Sequence, residues 1–164
     1  MPITPKEREL TAVGVSVASG CKPCTNYHIK AARESGASDD EIRQAVTDAL
    51  RVRSRATGMM ESHALSRLGE AEQQDSAVIS GDTNRVKELI SVGAAFGVNC
   101  VSSLKKHIAA AETVGVSQEE LAEIVKLAAF VKKRAASHVE RLVGTREEDD
   151  PAKSLAAYES MFGD

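Results

Sequence analysis

Apolar residues recur at intervals of three and four along this chain, and no stretch alternates apolar and polar residues long enough to make a convincing strand. Ile42, Ala45, Val46, Ala49 and Leu50 form one such stripe; Leu121, Ile124, Val125, Ala128 and Val131 form another. The helix ends are marked as clearly as the faces. Thr4-Pro5-Lys6-Glu7 reads as an N-cap, a proline in the first turn and a capping-box glutamate, predicting a helix to about Ser19. Gly20 breaks it, a short helix runs from about Cys21 to Ser35, and Gly36 closes that one. Ser38-Asp39-Asp40-Glu41 is a second capping box that launches the stripe at Ile42. A further helix is expected from Met59 to about Gln74, and a turn over the polar stretch 75–82.

The same punctuation then returns. Asp82 or Thr83 is expected to cap a helix, Gly97 precedes a short one, Gly115 stops it, and Ser117-Gln118-Glu119-Glu120 repeats the capping box. Residues recur as well as signals. Glu9, Cys21, Cys24 and His28 are answered 79 positions later by Glu88, Cys100, Ser103 and His107. Ala32, Gly36, Ser38, Glu41, Val46, Ala49, Val52, Arg55 and Ala56 each reappear unchanged at that offset. This is an internal duplication. The chain reads as one all-α domain over 1–164, built of a repeat at about 4–74 and a second at about 83–144. The segment from Thr145, charged at its start and containing Pro151, is expected to be a peripheral tail.

Composition narrows the classes open to such a fold. The 164 residues include no Trp, two Tyr and three Phe, so the core has to be aliphatic, and its small side chains suit closely packed helices. A net charge of −3 argues against nucleic acid as partner. No stretch approaches the roughly 20 apolar residues of a spanning helix, and the N-terminal residues lack the apolar core of a signal peptide. The expected location is therefore the cytoplasm, with no membrane partner. Three cysteines make no disulfide framework, and in a reducing compartment a close pair points to catalysis, redox sensing or metal binding.

Cys21, Cys24 and His28 stand at i, i+3 and i+7, on one face of a helix that begins near Cys21. A thiol becomes nucleophilic as thiolate, which a helix N-terminus and a nearby imidazole both favour. Glu9, from the preceding helix, can hold the second imidazole nitrogen or pass its proton to water. One thiolate attacks a hydroperoxide and becomes a sulfenic acid, its partner condenses with it to a disulfide, and an external dithiol resets the pair. Ser103 removes the partner of Cys100, so the second copy is not expected to cycle. The helix N-terminus favours Cys21 as the more acidic thiol and the neighbouring His28 favours Cys24, which leaves their order open.

The run Glu9-x11-Cys21-x2-Cys24-x3-His28 resembles the core motif of the AhpD-like alkylhydroperoxidases of the carboxymuconolactone decarboxylase superfamily, over the unit to about Ala56 and more weakly over the second copy. The resemblance implies an all-helical fold with an internal pseudo-dyad and a homo-oligomer, commonly a trimer of duplicated chains. It implies Cys24 as the sulfur that meets peroxide, Cys21 as the resolving partner, and His28 with Glu9 as the proton relay, with no cofactor. The expected partners are a small hydroperoxide or disulfide and an external dithiol reductant. Those enzymes carry a histidine directly before the second cysteine, where this chain has Pro23.

Blander and rival readings bear on the same residues. Cysteines are often small buried hydrophobes. A Cys-Cys-His-Glu set can ligate zinc or iron, but no second Cys/His pair follows at the spacing of a structural zinc site, and no metal is expected. A lyase or isomerase acting on small lactone acids through Glu9 and His28 is the alternative enzyme, and a metal-binding or redox-sensing module the alternative non-enzyme. Glu88 and His107 can pair structurally across two helices. His63 and His138 have no evident chemical partner and are read as inert, and Arg51, Arg53, Arg55, Met59, Met60 and Arg134 are assigned to no site.

Overall fold

The caps read from the sequence set the starts of most helices. The computed structural model describes residues 2–74, 82–144 and 151–162. Among these the helices are α1 (Pro5–Ala18), α2 (Lys22–Glu34), α3 (Asp39–Ser66), α4 (Arg85–Gly97), α5 (Val101–Thr113), α6 (Gln118–Leu142) and α7 (Pro151–Phe162). Capping boxes close at Thr4/Glu7, Ser38/Glu41 and Ser117/Glu120, each side chain taking a backbone N–H that the first turn leaves unpaired. Gly20, Gly36 and Gly115 follow α1, α2 and α5 with positive φ, a conformation that costs a residue without Cβ little. Asn99 takes the place of Gly20 in the second half and adopts the same positive φ, 58°.

The three-helix order α1-α2-α3 is repeated by α4-α5-α6, and the two first helices cross at the centre. Almost every residue of α1 from Glu9 to Ser16, and of α4 from Glu88 to Ala95, is buried. Their close approach requires glycine at two positions 79 apart. A Cβ on Gly14 would stand 2.7 Å from Ile90, and one on Gly93 would stand 2.8 Å from Val15 and 2.9 Å from Thr11. Around this crossing, Leu89, Val92, Ile124, Leu127 and Val131 fill one part of the core, and Leu10, Val13, Ala45, Ala49 and Ile90 the other. Arg85 ties α4 to α1 and α6, donating to Glu7 at 2.7 Å and to Glu120 at 2.5 Å.

Three expectations need correction. No helix begins at Met59: α3 is one helix from Asp39 to Ser66, and residues 70–74 are not helical, since nothing in the sequence after Ala56 breaks the backbone ladder before Gly69 turns with positive φ. Asn84, rather than Asp82 or Thr83, caps α4, its Oδ1 accepting from the Lys87 N–H at 3.0 Å; asparagine is a stronger cap than threonine. Leu50 is exposed and Val46 half-buried, because α3 turns the side of Ala45, Ala49 and Val52 to the core. The C-terminal segment forms a peripheral, mostly exposed helix that nonetheless reaches the core at one residue. Pro151 begins α7 rather than breaking it, and α7 buries Tyr158 among the core residues. The expected turn at 75–82 lies, except for Asp82, outside the described residues.

Candidate active site

Cys21 is the N-cap of α2, and Pro23 occupies the first turn, where its missing N–H costs nothing. This puts Cys24 in the same turn, and the two sulfurs form a disulfide with Cα atoms 5.3 Å apart, both residues buried. The Cys24 N–H donates to Cys21 Sγ at 3.2 Å, so the positive end of the helix rests on that sulfur. One turn on, His28 is buried and its Nδ1 meets Glu9 Oε2 at 2.8 Å. The four residues read from the motif are thus brought to one place by the α1–α2 packing.

Glu9 has a second partner that sequence reasoning missed. The Tyr158 hydroxyl donates to Glu9 Oε1, so each carboxylate oxygen accepts one hydrogen bond. Burial, and next the Glu9 charge, push the Tyr158 hydroxyl far above its ordinary value and keep it a donor. The ring lies edge-on to His28 with centroids 5.4 Å apart and packs on Phe130 and Phe162. Arg8 holds the end of α7, donating to the Phe162 carbonyl at 3.1 Å and lying over its ring. The sequence carries a sign of α7 itself, since Leu155, Tyr158 and Phe162 stand at i, i+3 and i+7 after Pro151, but none of the distant partner of Tyr158.

A pocket of about 280 Å³ opens onto the disulfide. Cys24, Tyr27 and His28 form its α2 side, while Cys21 is not part of its wall. Phe130, Arg134 and His138 of α6 face them, and Leu155 and Tyr158 of α7 close it. The lining is mostly apolar, the composition of a small-molecule site.

His138 and Arg134 were both set aside on sequence grounds, and both belong here. A ring nitrogen of His138 and the sulfurs of Cys21 and Cys24 lie within 4.8 Å of one another. Sequence distance hid this, because His138 lies more than a hundred residues beyond the cysteines. Burial, then the charges of Arg141 and Arg134, hold the His138 imidazole below its ordinary value. This trio is the nearest approach to a metal-ligand cluster among the described residues, and its sulfurs are bonded to each other. His63 is exposed and pairs with Glu72 at 3.1 Å, consistent with a surface role.

The second copy keeps part of the arrangement. His107 Nδ1 lies 2.7 Å from Glu88 Oε2, Cys100 caps α5, and its thiol donates to Ser103 Oγ at 3.1 Å. No tyrosine reaches the other oxygen of Glu88, which is fully buried without a hydrogen-bond partner among the described residues. Of the other arginines set aside on sequence grounds, Arg53 donates to the Val17 and Ala18 carbonyls at the end of α1, and Arg51 pairs with Asp48.

A family model described as the carboxymuconolactone decarboxylase family matches residues 2–54 and 64–142. The chain belongs to that family. As in the expectation drawn from its motif, this carboxymuconolactone decarboxylase family member is all-helical over its described residues. Glu9, Cys21, Cys24, His28 and His138 fall within the matched residues, whereas α7 and Tyr158 lie beyond them. Comparison with curated proteins and with solved structures yields no significant match. Among the described residues no helix is long and apolar enough to cross a membrane.

Proposed function

We propose that this chain is a thiol-dependent hydroperoxide reductase that cycles the Cys21–Cys24 disulfide. The observation that carries this reading is a bonded cysteine pair whose Cys24 forms a pocket wall next to a histidine tied to a carboxylate. With Nδ1–H donated to Glu9, the neutral His28 ring has its lone pair on Nε2 and is a base. In the reduced enzyme His28 takes the Cys24 proton, and Glu9, held by Tyr158, stabilises the imidazolium. The thiolate attacks the distal oxygen of a hydroperoxide; the O–O bond breaks, the alkoxide leaves as alcohol with the proton from His28, and Cys24 becomes a sulfenic acid. Cys21 then attacks Cys24 Sγ, water leaves, and the disulfide forms. An external dithiol supplies the two electrons and two protons that restore the thiols.

Access supports Cys24 as the attacking sulfur and Cys21, shielded beneath the helix N-terminus, as the resolving one. The pocket's apolar walls favour an organic hydroperoxide over a small polar oxidant. A cytoplasmic setting would keep the pair supplied with reductant, and a homotrimer is the assembly we expect. The test is peroxide consumption with a dithiol reductant: Cys24→Ser abolishes it, and a variant that consumes peroxide at the wild-type rate would overturn the proposal.

One observation favours a second reading. The carboxylate–imidazole pair persists as Glu88–His107 where the dithiol is lost. That retention suits acid–base catalysis on a lactone acid, as the family's name describes. Such an activity survives alkylation of both cysteines, whereas the hydroperoxide reductase does not.

A further inference from the structure

His138 stands beside both sulfurs and takes no part in the proton path through His28. Arg141, one turn further along α6, approaches its Nδ1 at 2.9 Å. A guanidinium only donates, so Nδ1 is the acceptor and the proton of the neutral ring sits on Nε2. We propose that His138, oriented by Arg141, donates its Nε2–H to the cysteine thiolate whenever the Cys21–Cys24 bond is open.

The inference rests on the cysteine pair being a working dithiol and goes beyond it by assigning the group that stabilises its charge. When an external dithiol opens the disulfide, the incoming thiolate bonds to one cysteine sulfur. The Cys21–Cys24 bond breaks, and its electron pair stays on the other sulfur. That sulfur needs a donor at once. His28 has its N–H committed to Glu9, so it offers the pocket a base; His138 has its lone pair committed to Arg141, so it offers a donor. The two imidazoles have opposite tautomers because one is held by an acid and the other by a base.

The same tautomer argues against a metal. Binding an ion would require the His138 lone pair that Arg141 occupies, and would place a cation beside the charges of Arg141 and Arg134. The second copy agrees. The position 79 residues before His138 is Met59, and that before Arg141 is Ser62, so the half that lost a sulfur at Ser103 also has neither the imidazole nor the guanidinium.

Other charges and titratable groups around the sulfurs are Glu9 of α1, Tyr27 and His28 of α2, Arg134 of α6 and Tyr158 of α7. The experiment therefore compares variants rather than absolute values. Reduced full-length protein is alkylated with iodoacetamide from pH 5 to 10, each cysteine being followed by peptide mass mapping. His138→Ala is expected to raise the lower thiol pKa by about one unit, a roughly tenfold slower alkylation at neutral pH. His138→Gln, which keeps an N–H donor, recovers part of the rate, and Arg141→Met gives a smaller shift in the same direction. Unchanged profiles in folded His138→Ala and Arg141→Met would overturn the proposal. So would about one zinc per reduced chain that His138→Ala loses. Because no peroxide is present, these results are independent of whether Cys24→Ser abolishes peroxide consumption, and either proposal can fail alone.

Discussion

Replacing Tyr158 with phenylalanine removes one oxygen and tests what α7 contributes. The ring keeps its places against His28, Phe130 and Phe162, with centroids 5.4, 5.4 and 5.3 Å away, so the change creates almost no void. What is lost is a hydrogen bond to a carboxylate on a residue 7% exposed, from a tyrosine also 7% exposed. Hydrogen bonds to charged groups contribute about 1.5–3 kcal/mol net, and Glu9 Oε1 is left without the donor that Tyr158 supplies. For a chain of this length each kcal/mol moves Tm by about 2–4 °C, so Tyr158→Phe is expected to lower Tm by roughly 3–12 °C. Circular dichroism measures this, at one fixed protein concentration because self-association makes Tm concentration-dependent. Turnover should fall severalfold beyond the loss of folded protein, since Glu9 then holds His28 with less precision. A variant within about 0.5 kcal/mol of wild type, with unchanged turnover, would refute the idea that the hydroxyl anchors the relay.

Further outcomes follow from the charges and the helix crossing. Glu120 is held at about 2, first by the Arg85 guanidinium and then by the Ser117 N–H, whereas Glu7, opposed by its burial, is lowered first by the Thr4 backbone N–H and then by Arg85. Depressed carboxyl values give stability that is present above about pH 4.5 and lost as pH falls towards 2, so acid unfolding should begin in that window, and Arg85→Met should move it upward while costing about 2–3 kcal/mol in urea titration. Tyr27 and Tyr158, the two tyrosines of the chain, are both raised, chiefly by burial. Less phenolate absorbance than two free tyrosines give is therefore expected at pH 10 until the protein unfolds. A raised value means stability present below about pH 10 and lost as pH rises through the folded value. Gly93→Ala presses a methyl onto Val15 and Thr11 at under 3 Å and should destabilise by about 1–3 kcal/mol despite alanine's better helix propensity; an equally stable variant would show that the crossing can widen at no cost.

What the sequence disclosed and what it hid divide along a physical line. Helix starts were readable because a cap is a local event: Thr4, Ser38 and Ser117 bond to groups three residues away. The α1–α2 part of the site was readable for a related reason, since Cys21, Cys24 and His28 lie on one helix and Glu9 recurs at the duplication's offset. His138 and Tyr158 were not, because their partners lie more than a hundred residues away and the links are made by packing of α6 and α7. The continuity of α3 through Met59 was missed because an exposed polar helix offers no apolar period to follow.

The duplication, read with the geometry, separates scaffold from chemistry. Two features common to both halves, the glycines at the central crossing and the helix caps, are those on which packing of the repeats depends, while the carboxylate–imidazole pairs, also common to both, belong in the first site to the proposed relay. Features confined to the first site are the second sulfur, the His138–Arg141 pair and the Tyr158 donor, and in the proposed cycle each bears on charge at sulfur or on the proton path to it. A purely structural disulfide needs neither a donor for a thiolate nor a tyrosine to hold a relay carboxylate. Grafting the missing parts is thus the stricter test: Ser103→Cys with Met59→His restores a dithiol and an imidazole to the second half but leaves Glu88 Oε1 without its donor. The double variant should form a second disulfide under oxidant, counted by mass mapping, while adding little peroxide turnover. Full turnover from that site would show that the Tyr158 bond is dispensable to catalysis.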